Sequence, residues 1–165
     1  MTFTLDAEYT TGLTFDYESL YHEAVMAALS YLHCPYEASV NLLLTDDEGI
    51  RKINRDQRSI DDATDVLSFP MSDYPTEGDF SHLEDIDDAF DPDSGELLLG
   101  DIVLSVEHVI ANAREYGHST EREYAFLIVH SMLHLTGFDH VEDTGRIRME
   151  SAQKEIMKTL GIERT

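Results

Sequence analysis

Val129-His130-Ser131-Met132-Leu133-His134-Leu135-Thr136-Gly137-Phe138-Asp139-His140 sets three histidines into an otherwise apolar run. Two histidines four apart on a helix stand one turn above each other on one face, so their imidazoles can converge on a point. A glycine three residues after His134 can end the helix and turn the chain back, returning His140 to the same centre. The pattern is His-x-x-x-His-x-x-Gly-x-x-His. Three neutral imidazoles plus a water make a tetrahedral centre with one open position, the arrangement of catalytic rather than structural zinc. His130, His134 and His140 are therefore the expected ligands of one ion, expected to be Zn2+. The alternative, a core pair and an unrelated surface histidine, leaves the convergent spacing of three of the chain's eight histidines unexplained. His22, His33, His82, His108 and His118 have no such arrangement and are expected to be structural or solvated.

The same spacing occurs in metzincin proteases, which place a Glu directly after the first His as general base. Ser131 stands there in this chain. A hydroxyl is no base near neutral pH, so peptide hydrolysis by that route lacks its proton acceptor.

Outward from this segment, apolar periodicity predicts a short strand at Phe3 to Leu5, a helix from Tyr17 to Leu32 and a strand from Ala38 to Leu44. Asp46-Asp47-Glu48 supplies carboxylates suited to a helix N-terminus, and that helix is expected to run to about Gln57. Asp65 to Phe69 is strand-like and ends at Pro70; Leu97 to Ser105 is a longer apolar run. Three helical stretches follow, Val106 to Tyr116, Glu121 to Thr136 and Thr144 to Leu160, with Gly117 and Gly137 where helices commonly stop. The chain thus reads as strands among helices, with no internal repeat.

The chain has 165 residues, enough for one domain with its own core, and residues 1–165 are expected to form a single domain. Its apolar and charged fractions, 42% and 27%, are those of a globular protein. One cysteine, Cys34, cannot form an internal disulfide and is expected to be a buried thiol. No signal-like N-terminus or long apolar run is present, so the expected location is cytoplasmic, with no membrane partner. The net charge of −23, from 34 acidic and 11 basic residues, argues against a broad surface that binds nucleic acid by bulk phosphate neutralisation, and no DNA partner is expected. Much of the acidity lies in Ser72 to Glu96, which has no Lys or Arg and is expected to be a self-repelling, solvated loop. It lacks the spacing and glycine of a calcium loop. The one local basic cluster is Arg51, Lys52, Arg55 and Arg58.

The histidine segment resembles that of the YbeY family of rRNA maturation endoribonucleases, whose typical form is His-Gly-x-Leu-His-Leu-x-Gly-Tyr-Asp-His; this chain departs at Ser131 and Phe138. The resemblance extends to Asn54 through Arg58, Thr64 through Pro70, Leu99 through Ile102 and Glu115 through His118. It implies a zincin-like α+β fold, a small mixed four-stranded sheet packed by about five helices. It implies that His130, His134 and His140 are metal ligands, with His130 acting in catalysis through the metal, and that Arg58 lies near the metal and is functionally important. The implied activity is metal-dependent cleavage of single-stranded RNA in 16S rRNA 3′-end maturation and ribosome quality control. RNA and the ribosome or small-subunit proteins are the implied partners. Arg58 suits that role chemically, since a guanidinium pairs bidentately with phosphate oxygens. Asp139 could orient an imidazole or cap the turn; Asp65 and Asp101 could face the site or pair locally. Two other readings stay open, a metal-dependent hydrolase of another substrate class and a non-catalytic ribosome-assembly factor with a structural metal. A fourth protein ligand would favour the latter.

Overall fold

The computed structural model describes residues 1–162. Its elements are β1 (Thr2–Ala7), α1 (Tyr17–Tyr31), β2 (Ala38–Thr45), α2 (Asp47–Arg58), β3 (Val66–Pro70), β4 (Leu97–Ser105), α3 (Val106–Tyr116), α4 (Thr120–Leu135) and α5 (Asp143–Leu160), with short 3-10 turns at Ser81–Asp85 and Asp87–Ala89. The sheet order is β1-β2-β4-β3, parallel except for β3, which runs antiparallel to β4. The expected mixed four-stranded sheet and five helices are thus present. β1 is twice the length its periodicity suggests, because Thr2 through Ala7 all pair in register with Ser39 through Leu44 of β2.

Helix starts follow local chemistry. Asp16 accepts from Ser19 N at 3.1 Å, Asp46 from Gly49 N at 2.8 Å, Ser105 from His108 N at 3.3 Å and Ser119 from Arg122 N at 3.1 Å, each satisfying an otherwise orphaned helix N–H. α4 is apolar around most of its circumference because α1, α3, α5 and the sheet surround it; Tyr124, Ile128, Val129, Met132, Leu133 and Leu135 are fully buried. On the opposite sheet face Ile50 of α2 packs with Leu67 and Val103, which brings the C-terminal end of α2 beside β3.

Residues 72–96 correct the expectation of a solvated loop. Phe80, Leu83 and Ala89 are buried in the main core, and Gly78 N donates to the Thr136 carbonyl at 2.9 Å. Apolar side chains spaced among the carboxylates anchor the segment, while its acids stay at the surface. Cys34 is half-buried rather than buried; its thiol donates to the Tyr36 carbonyl at 3.7 Å, and burial pushes its pKa up.

Candidate metal centre

α4 closes on itself as its sequence suggests. Phe138 N donates to the Leu133 carbonyl at 3.0 Å and Gly137 N to the His134 carbonyl at 3.2 Å, with Gly137 at φ +96°. This paired closure reverses the chain directly beyond the helix. The turned-back Phe138 carbonyl then lies 3.0 Å from His134 Nδ1. A ring nitrogen facing a carbonyl carries the proton, so His134 Nε2 keeps its lone pair. Across the helix, His130 Nδ1 faces Gln153 Oε1 at 3.5 Å, and Gln153 Nε2 donates to the Phe126 carbonyl at 2.9 Å, which fixes the amide's orientation. His130 Nε2 is therefore also the lone-pair nitrogen.

The turn delivers His140 to the pair. Ring centroids lie 4.6 Å apart for His130 and His134, 5.2 Å for His134 and His140, and 5.9 Å for His130 and His140. One nitrogen from each ring lies within 4.8 Å of the others. An ion ligated tetrahedrally at ~2.1 Å holds its nitrogens about 3.4 Å apart. The Nε2 atoms of His130 and His134 stand 3.1 Å apart. Two lone pairs at that distance repel unless a cation lies between them. A proton suits poorly, since burial first and then His134 push the His130 pKa down to about 4, and burial lowers that of His134. Neutral imidazole is the ligating form, so the residues present fit a divalent ion.

β3 forms the facing wall of a cleft of about 510 Å³ lined by the three histidines with Arg58, Asp65, Val66, Ser68 and Pro70. Arg58, the last residue of α2, donates from Nη2 to the Ser68 carbonyl at 2.6 Å and lies 5.0 Å from the centre of the Phe69 ring. These contacts hold the guanidinium at the cleft. Arg51, Lys52 and Arg55 are exposed and do not line it; Arg51 pairs with Asp61 at 2.9 Å and Arg55 with Asp56 at 3.4 Å. Ser131 is fully buried, its hydroxyl 2.5 Å from that of Ser68, so it fastens α4 to β3.

The family model for endoribonuclease YbeY matches residues 5–161. The chain belongs to the endoribonuclease YbeY family. It is 53% identical to the endoribonuclease YbeY of Agathobacter rectalis over 99% of this chain and 100% of the relative. It is 47% identical to that of Lachnoclostridium phytofermentans at the same coverages. The solution structure of a Thermotoga maritima protein superposes with a TM-score of 0.58 over 95% of this chain and 87% of that one, at 24% identity, a likeness of fold.

Within this family member the carboxylates left open by sequence take separate places. Asp139 caps the turn, accepting from Val141 N at 2.8 Å. Asp65 lines the cleft and is also held locally, by Val66 N at 2.7 Å and Asn112 Nδ2 at 3.3 Å. Asp101 pairs with Asn41 at 2.8 Å in another cleft, away from the histidines. Sequence reasoning missed Gln153, whose signal was a polar residue on the apolar stripe Met149, Ala152, Ile156, Met157 of α5. It also missed the buried chain behind Asp65, in which Asn112 Nδ2 reaches Glu123 at 3.3 Å and Glu123 accepts from His118 at 2.7 Å. His118 is thus structural, as expected. His108 is too, 2.5 Å from Asp47.

Proposed function

We propose that this chain is a zinc-dependent, single-strand-specific endoribonuclease of the cytoplasm, acting on RNA in 16S rRNA 3′-end maturation and ribosome quality control. The observation that carries the reading is the convergence of three neutral imidazoles beside an arginine in one open cleft, in a chain of an endoribonuclease family. We read residues 1–165 as one domain built around that cleft.

His130, His134 and His140 hold the ion, and through it His130 takes part in catalysis. Zinc, when bound, supplies a Lewis acid that polarises a phosphate oxygen and activates a water. Arg58 holds the scissile phosphate. Its guanidinium has five N–H donors, and the Ser68 carbonyl takes one of them, leaving others for phosphate oxygens. Phe69 beneath it restrains the side chain, so little rotamer freedom is lost on binding.

Among the described residues the ligating group consists of three histidines without a fourth side chain, which favours an open coordination position over a structural centre. Ser131 is buried against Ser68, so no carboxylate stands beside the first histidine for peptide hydrolysis. A net charge of −23 makes capture of free RNA unfavourable over most of the surface, and the ribosome or a small-subunit protein delivers the strand. No helix among the described residues is long and apolar enough to cross a membrane.

The test compares zinc content and cleavage of single-stranded RNA in wild type, His134→Ala and Arg58→Ala in metal-controlled buffer. Stoichiometric zinc in wild type and Arg58→Ala, with cleavage lost in both variants, is expected. Loss of zinc in Arg58→Ala would sink the phosphate-holding role; cleavage indifferent to both substitutions would sink the nuclease reading.

A further inference from the structure

The chain's 11 basic residues are scarce enough that their placement carries information. Three of them, Arg122, Lys154 and Lys158, line one groove of about 480 Å³ between α4 and α5. Among the described residues none of the three has a carboxylate partner within 4.0 Å. Arg51, Arg55, Arg146 and Arg148 each have at least one, while Lys52, Arg58 and Arg114 have none among the described residues but do not line this groove. The carboxylate in the groove wall, Glu150, faces Arg146 at 3.8 Å. Arg122 donates from Nη1 to the Ile162 carbonyl at 2.7 Å, while its Nε is buried without a partner. In so acidic a molecule, three cations gathered in one groove make a local positive potential that attracts a polyanion.

The groove lies next to the metal centre, with Gln153 joining its wall to His130. Arg122, Phe126 and His130 follow one stripe of α4 at four-residue spacing, about 12 Å from end to end. Gln153 is in the groove wall and accepts from His130, while the half-buried Phe126 adds one aromatic face of the kind on which a base stacks. Cations beside an aromatic face are the combination that holds a single strand, phosphates on the one and a base on the other. An acidic peptide would use the cations and leave Phe126 without a role.

We propose that the α4–α5 groove is a binding track for single-stranded RNA, with Lys154, Lys158 and Arg122 on its phosphates, beside the histidine cleft. This rests on the endoribonuclease reading. Lys154 and Lys158 are exposed and bear on neither the metal nor the core, so they can be changed without unfolding the chain.

The experiment measures binding of a fluorescent 12-nucleotide 2′-O-methyl RNA, which resists cleavage, by wild type, Lys154→Gln/Lys158→Gln and Lys154→Arg/Lys158→Arg across a salt series. Each phosphate contact on a single strand contributes roughly 0.7 to the log–log salt slope, so losing two lowers the slope by about 1.4 and affinity by about 25-fold at 0.1 M salt. The arginine pair is expected to retain wild-type binding. In parallel, cleavage of unmodified RNA is expected to show a raised KM for the 12-mer in the glutamine pair, with cleavage of a dinucleotide unchanged. Equal affinity and slope in wild type and the glutamine pair overturn the track while leaving the nuclease reading intact if wild type cleaves. Lysine-dependent binding without any cleavage supports the track and sinks the nuclease reading. Tighter, lysine-dependent binding of polyglutamate than of RNA reassigns the groove to an acidic protein and also overturns it.

Discussion

Gly137→Ala tests whether the turn after α4 builds the metal centre. Gly137 sits at φ +96°, where a Cβ would lie 2.6 Å from Tyr74 Cβ and 3.3 Å from the Tyr74 carbonyl oxygen. Gly117, which ends α3 at φ +71°, has nothing within 4 Å of the position a methyl would take and so serves as the control. Both alanines incur the positive-φ strain, of order 1–2 kcal/mol, and both gain the same reduction in unfolded-chain entropy. Only Gly137→Ala adds a clash with backbone and Cβ atoms that cannot swing aside, which is worth about 1–3 kcal/mol. The difference between variants is therefore expected to be about 1–3 kcal/mol, or roughly 2–12 °C in Tm for a chain of this size. Because the same turn places His140 and the carbonyl that orients His134, Gly137→Ala is also expected to lose zinc affinity while Gly117→Ala keeps it. Thermal unfolding of metal-free protein and zinc titration with a competing chelator give both numbers. Equal Tm values with wild-type zinc binding in the two variants would refute the turn as the positioning element.

Three further outcomes are expected. The pKa of His130 is about 4 in the fold against an ordinary 6.5, so folding of the metal-free protein expels a proton between those values. Stability is then full above pH 6.5 and falls as pH drops toward 4, by up to about 3 kcal/mol, with His134 acting in the same direction; urea titrations from pH 4 to 8 that show no such slope would contradict the buried neutral imidazoles. Gln153→Ala removes the acceptor that holds the His130 ring and is expected to weaken zinc binding about 10–100-fold with Arg58 chemistry untouched; an unchanged zinc Kd would show that packing alone orients the ring. Ser131→Ala is expected to cost about 1 kcal/mol and keep zinc, whereas Ser131→Glu, which buries a carboxylate against Ser68, is expected to unfold the chain rather than create a peptidase, as circular dichroism and a casein assay would report.

The strand and helix content was legible because its signals are local. Alternation, caps such as Asp46 and Ser119, and the stop at Gly137 act within a few residues, and the observed boundaries fall within two residues of the expected ones outside β1. The acidic segment was misread for the same reason. Ten carboxylates in sequence look solvated, yet Phe80, Leu83 and Ala89 face a core formed by distant elements. Arg51, Lys52, Arg55 and Arg58 are one cluster along the chain, but helical geometry and the abutting end of β3 send only Arg58 into the cleft.

Helical spacing and a helix-ending glycine bring His130, His134 and His140 together, so a histidine cluster that could hold a metal was legible in the chain, and the resemblance of its motifs carried the fold class. Packing was needed to show which nitrogens of His130 and His134 are free, that Gln153 rather than Asp139 orients His130, and that α5 places Lys154 and Lys158 beside Phe126 and Arg122. The contacts of Gln153 on α5 with His130 and Phe126 on α4 join residues more than twenty positions apart, and their geometry is set by how α4 seats against α5 and β3, which no local periodicity encodes.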